Sequence, residues 1–141
     1  MQECYTVTRK LRGLAVIINN MKFDNEESTP ARKGSEYDVI NMKNLFDGLH
    51  FEVREHHNKN AQEILECLKE DKRTLPDSDI FVAVIMSDGS KNCVYGTDGK
   101  RVQIEDITTI FNEKNCPKLR ETPKIFFIQA CQDGNLSHGN Q

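Results

Sequence analysis

An open, mostly parallel α/β sheet with helices on both faces is the fold class this sequence predicts, and three observations carry it. Apolar runs at residues 14–19 (LAVIIN), 80–86 (IFVAVIM) and 124–129 (KIFFIQ) are too continuous for strands with one wet face. Amphipathic stripes at helical spacing stand between them. The order strand, helix, strand, helix, strand, helix, strand is that of a parallel sheet joined by crossovers.

Residues 14–19 read as a buried first strand. Residues 20–34 are polar and broken by Pro30 and Gly34, so they form a long loop at that strand's carboxyl end. Ser35 with Asp38 three places on has the form of a capping box, opening a helix with the stripe Val39, Met42, Leu45, Phe46 and Leu49. Residues 51–54 read as a short second strand, which leaves His56 and His57 in a solvated loop. Asn60 and Glu63 start a second helix with Ala61, Ile64, Leu65 and Leu68 inward, ended by the charged run 69–73 and Pro76.

Residues 80–86 form the third strand, stopping at a Ser87-Asp88-Gly89 turn. Residues 93–95 and 101–103 flank GTDGK as a hairpin with an Asp-Gly turn. Ile104, Ile107, Ile110 and Phe111 make a third helix, and Pro123 precedes the fourth strand. That strand reads as central and buried, yet only the polar QDGNLSHGNQ follows Cys131. A buried strand needs a neighbour on each side, so further strands are expected from another segment or chain; the alternative is a plain edge strand.

The chain has 141 residues, 37% hydrophobic and 29% charged, with a formal net charge of −3. This is the balance of one globular domain rather than of a disordered chain. A mild negative charge without dense Lys/Arg runs argues against nucleic acid as a partner. The longest apolar run is far short of a membrane span, and the start, MQECYTVTRK, lacks the apolar core of a secretory signal. Five cysteines, at 4, 67, 93, 116 and 131, form no C-x-x-C pair. Neither a zinc ribbon nor a disulfide framework is suggested, and a reduced, cytoplasmic setting is expected.

In open parallel sheets the working groups collect at the carboxyl ends of the strands. Here these are the loop with Asp24 and Arg32, the turn at Asp88, and Gln129-Ala130-Cys131. On the residues alone, Cys131 reads first as a small buried apolar side chain, the common state of free cysteine. Asp24, Asp88 and Asp133 could together hold Mg²⁺, but no phosphate-cradling glycine loop accompanies them, and single aspartates after strands are ordinary turn formers.

From GLAVIINN to IFFIQAC the chain resembles the large subunit of a caspase, a cysteine protease that cuts after aspartate. The QAC motif matches, although QACQD places Gly134 one position late. Arg32–Ser35 matches an R-x-G-[S/T] pattern, and the YGTDG turn and the Ser-x-Gly that ends the third strand match as well. The resemblance implies a caspase-like open sheet completed by a small subunit not in this chain, with no cofactor and no metal. It divides the chain into an extension at 1–13, the domain at 14–131 and a tail at 132–141 leading to the inter-subunit linker.

The resemblance also assigns roles. It makes Cys131 the nucleophile, while Arg32 and Gln129 hold the substrate aspartate, Arg32 by the bidentate pairing that guanidinium offers a carboxylate. Gly89 and Cys131 give backbone N–H groups to the oxyanion hole, and the Pro30 carbonyl touches the catalytic histidine. That histidine belongs in the middle of Ser-His-Gly, where this chain has Asp88.

An imidazolium favours a neighbouring thiolate, whereas a carboxylate opposes it and rarely carries a proton for the leaving amine. His50, His56 and His57 are placed elsewhere, and His138 lies in the tail without the positioning catalysis needs. The resemblance therefore implies a degenerate pseudocaspase, a non-catalytic regulator in apoptosis that pairs with itself or with an active caspase. The alternative is an active or residually active Asp-specific cysteine endopeptidase, or an engineered inactive form of one.

Overall fold

The computed structural model describes residues 10–21 and 35–131. Strand β1 (Gly13–Asn19) is followed by α1 (Ser35–Gly48), β2 (Phe51–His57), α2 (Ala61–Arg73) and β3 (Phe81–Ser90). Then come β4 (Cys93–Tyr95), β5 (Arg101–Gln103), α3 (Ile104–Ile110), a 3-10 turn (Pro117–Leu119) and β6 (Lys124–Cys131). The parallel part of the sheet runs β2-β1-β3-β6, and β4 and β5 form an antiparallel extension from the end of β3.

The apolar strands are buried on both faces because helices cover both. Ala15, Ile17, Val82, Val84 and Met86 pack toward Val39, Met42 and Phe46 of α1. Leu14, Val16, Ile18, Phe81, Ala83 and Ile85 pack toward Ile64 and Leu68 of α2, Ile107 and Ile110 of α3, and Phe111 just after it. On that second face Phe81 and Phe111 lie with ring centroids 4.5 Å apart, and Phe126 of β6 joins them at 6.1 and 6.3 Å. The expected α/β architecture, with parallel strands and helices on both faces, is the one observed.

Helix α2 starts at the expected Asn60 and Glu63, which form a capping box. The Asn60 side chain accepts from the Glu63 amide at 2.8 Å, and the Glu63 carboxylate accepts from the Asn60 amide at 3.0 Å. The hairpin β4–β5 is set against this helix start. Thr97 N–H donates to the Lys59 carbonyl at 3.0 Å, and Ala61 N–H donates to Asp98 Oδ1 at 3.3 Å. A Cβ on Gly96 would fall 2.1 Å from the Ala61 nitrogen, so position 96 admits only glycine.

Five expectations need correction. β2 continues through His57, so His56 and His57 lie on a strand and not in a loop. β3 continues through Ser90, so Ser87, Asp88 and Gly89 are strand residues held by pairing with β4 and β6. The charged run 69–73 is the last turn and a half of α2 rather than its terminator, and it includes a buried Asp71. Leu45 and Leu49 stand 57% and 42% exposed instead of facing the core. Finally β6 pairs only with β3 among the described residues, and Ile125 and Phe127 are exposed, so in this chain it is an edge strand and not a central one. Leu45 and Phe127 are exposed together because α1 and β6 border the same uncovered face.

Candidate functional site

The carboxyl ends of β1, β3 and β6 lie side by side, because the three strands are parallel and in register. Asn19 is level with Met86, Met86 with Gln129, Ser87 with Ala130, and Asp88 with Cys131. Strand spacing alone brings backbone positions 88 and 131 to roughly 5 Å. Asp88 is half-buried and Gly89 buried. A Cβ at Gly89 would meet the Cys93 carbonyl oxygen at 2.5 Å and Ala130 Cβ at 2.8 Å, so β4 and β6 both close on the glycine backbone.

Gln129 is exposed at the lip of an apolar groove of about 420 Å³ between α1 and β6, lined by Met42, Leu45, Phe46 and Phe127 among others. Pro30, Arg32, Asp24, Asp133 and His138 lie outside the described residues. Asp88, Gly89, Gln129 and Cys131 are thus brought to one end of two adjacent strands, whereas Arg32 and Pro30 are not placed. Among the described residues no group of three or more His, Cys, Asp or Glu side chains is arranged to hold a metal ion.

The described histidines stand away from this end of β3 and β6. His50 follows α1 in a left-handed turn (φ 68°) just before β2, toward the amino end of the sheet. His56 and His57 are on β2, with β1 intervening before β3. His57 Nε2 is 3.1 Å from Glu55 Oε1. His56 is committed to the α2 face, its Nε2 2.7 Å from Asp71 Oδ2.

Asp71 is the centre of a buried polar cluster that sequence reasoning missed. Its other carboxylate oxygen accepts from Arg54 Nη1 at 3.2 Å. The same guanidinium donates to Thr74 Oγ1 and to the Thr74 carbonyl, both at 2.8 Å, and to Glu52 Oε2 at 2.7 Å. A strand arginine therefore supplies donors to the bare carbonyls at the end of α2. Burial alone would lower the Arg54 pKa, but the bonds and charges of Glu52 and Asp71 outweigh it and the net shift is upward. Cys67, one turn before Asp71, has its thiol pKa pushed up to about 12, by burial first and then by the Asp71 charge, and is inert as a nucleophile at neutral pH. One sequence signal was available: Ile64, Leu68 and Asp71 share the inner stripe of α2.

A second missed network ties the strand ends together. Asn20, fully buried, donates through Nδ2 to the carbonyls of Lys59 at 3.1 Å and Tyr95 at 3.2 Å, and its Oδ1 accepts from Lys59 N–H at 2.8 Å. Ser87 Oγ donates to the same Tyr95 carbonyl at 2.8 Å. Nothing beyond the pair of asparagines closing an apolar strand announced it.

Residues 12–141 match the family model of the caspase domain. The chain is 40% identical over 145 residues to Caspase-8 of Mus musculus, covering 97% of this chain and 30% of that protein. It is 35% identical over 138 residues to Caspase-2 of Gallus gallus, covering 96% and 32% respectively. It is also 34% identical over 140 residues to Caspase-3 of Mus musculus, covering 99% and 50%. The chain thus spans between about a third and a half of the relatives it matches.

Proposed function

The chain belongs to the caspase family, and within that family we propose that it is a non-catalytic member, a pseudocaspase that regulates an active caspase in apoptosis from the cytoplasm. One observation carries this reading: position 88, level with Cys131 across the β3–β6 pair, holds aspartate where the family has the middle residue of Ser-His-Gly. The described histidines are on β2 or before it, and His56 is already bonded to Asp71. Without an imidazole, a cysteine here has no base to draw it toward the thiolate and no acid to protonate a leaving amine. Arg32 and Gln129 match the family's means of holding an aspartate, and the backbone at Gly89 its oxyanion hole, so recognition can outlast chemistry.

The bare side of β6 supports a partner. Its outer edge is without a strand among the described residues, Phe127 is 56% exposed, and the groove beside α1 is apolar. A small-subunit segment that adds a strand to β6 and seats apolar side chains in this groove would complete the layer. Through that subunit the protein would pair with itself or with an active caspase, shifting its partner by differential binding of one state.

The test is peptide turnover by the whole protein, small subunit included, on Asp-containing substrates, with Cys131→Ala as control and co-purification with active caspases of the same organism. No turnover together with association is expected. Robust turnover abolished by Cys131→Ala would overturn the reading in favour of an active Asp-specific endopeptidase.

A further inference from the structure

Asn20 is an amide with no exposure to water, and it spends both kinds of hydrogen-bonding group on backbone far away in sequence. Its Oδ1 holds Lys59 N–H, and its Nδ2 is shared between the carbonyls of Lys59 and Tyr95. Its own N–H donates to the Met86 carbonyl at 2.9 Å, which fixes it beside β3. One side chain thus joins the end of β1, the turn before α2 and the end of β4.

The Tyr95 carbonyl is the shared element. It accepts from Asn20 on one side and from Ser87, the residue before Asp88, on the other. Lys59 continues the tie, since its carbonyl also accepts Thr97 N–H from the hairpin. Residues 89–90 of β3 pair with β4, and Gly89 is in contact range of the Cys93 carbonyl. Where β4 sits therefore sets where the backbone at 88 and 89 sits relative to position 131.

We infer that Asn20 is a positioning residue for this site: with Ser87 it clamps the β4–β5 hairpin and so fixes the backbone of Asp88 and Gly89 against the end of β6. The inference rests on the reading that this strand end is the working end of the molecule. A merely structural asparagine would stabilise the whole domain evenly, whereas a clamp acts on the segments it joins. Buried backbone groups that lose such a donor open locally before the fold does.

The experiment is residue-resolved amide hydrogen exchange on the whole protein, comparing wild type with Asn20→Ala. Exchange at Lys59, Gly89 and Thr97 is expected to accelerate on the order of tenfold or more, while Leu68 and Ile107 in the helices stay within about twofold. Equal acceleration everywhere, or none at Lys59 and Thr97, would overturn the clamp.

If Asn20→Ala does not fold, Ser87→Ala serves, since it removes the other donor to the same carbonyl. Faster exchange confined to β4, the hairpin and Gly89 is then expected, and a uniform change counts against the inference. In an Asp88→His background that cleaves Asp peptides, Asn20→Ala should lower kcat about tenfold with KM nearly unchanged; an unchanged kcat would sever the clamp from the site. Absence of turnover in that background weighs on the reading of the site alone, and the exchange data still decide the clamp.

Discussion

At one edge of the sheet β2 sends Glu52, Arg54 and His56 toward α2, where Asp71 and the end of the helix receive them. At the other edge β6 carries Ile125, Phe126, Phe127 and Ile128, half of them turned outward with nothing among the described residues to cover them. Charged side chains along an edge strand discourage another strand from adding to it, and a flat apolar edge invites one. The difference teaches that, among the described residues, the sheet edge is closed to a further strand on the β2 side and open to one on the β6 side. The candidate site lies at the open side, so a strand added there would also close one wall of it.

The comparison breaks most readily at Asp71. Asp71→Ala removes the carboxylate from between Arg54 and His56 and is expected to cost about 3–5 kcal/mol, the usual range for breaking one partner out of a buried ion pair. Urea unfolding reads it directly. A loss below about 1 kcal/mol would show that the β2 edge is not held by this cluster.

The mirror experiment on β6 is Phe127→Glu. With the side chain more than half exposed, stability of this part should change by no more than about 0.5 kcal/mol. Association with the proposed small-subunit segment should weaken by about 2 kcal/mol or more, as for a central apolar anchor. Calorimetry and a denaturation series separate the two, and equal effects on both would deny β6 its role as an interface.

A smaller effect tests the inside of the β2 edge through pH. The folded Cys67 thiol keeps its proton up to about 12, against 9.0 for a free thiol. The folded state therefore binds the proton more tightly than the unfolded one. The stability this contributes is complete below about pH 9 and falls as pH rises toward 12. Cys67→Ala should flatten that alkaline decline, and alkylation of native Cys67 should remain slow at pH 8. Rapid alkylation at pH 8 would contradict its burial beside Asp71.

Least of all is expected from Asp47→Asn on the outer surface of α1, where Lys43 Nζ is 3.3 Å from Asp47 Oδ2 and both side chains are about half exposed. A change of about 0.3–0.5 kcal/mol in thermal unfolding, reduced by salt, is the expected scale. It calibrates the surface against both edges.

The sequence was most legible where burial is apolar and continuous. β1, β3 and β6, the helix start at Asn60 and the hairpin with its Asp-Gly turn were all placed within a few residues. Illegibility began where polar residues are buried by partners distant in the chain. His56 looked solvated because its partner, Asp71, sits in a charged run 15 residues away. Ser87-Asp88-Gly89 looked like a turn because pairing on two sides, and not apolar character, keeps it in the strand. β6 looked central because its composition answers to a completed sheet, while its exposure here reflects only the strands these residues supply. The level pairing of 88 with 131 confirmed that the two motifs stand on adjacent strands; the distances between functional side chains were beyond any reading of spacing.

The strand order has a consequence for synthesis. β3 pairs with β1, which precedes it, and with β6, which follows only after residues 91–123 have been made. At typical elongation rates the ribosome needs roughly 2–7 s for that stretch. During those seconds the strand with the longest apolar run has β1 on one side and open backbone on the other, since β4 pairs only with its last two residues. A nascent chain caught in that interval offers a sticky template to its neighbours on a polysome, so slow codons or a chaperone-binding stretch between 91 and 123 would bear on yield more than any change of final stability.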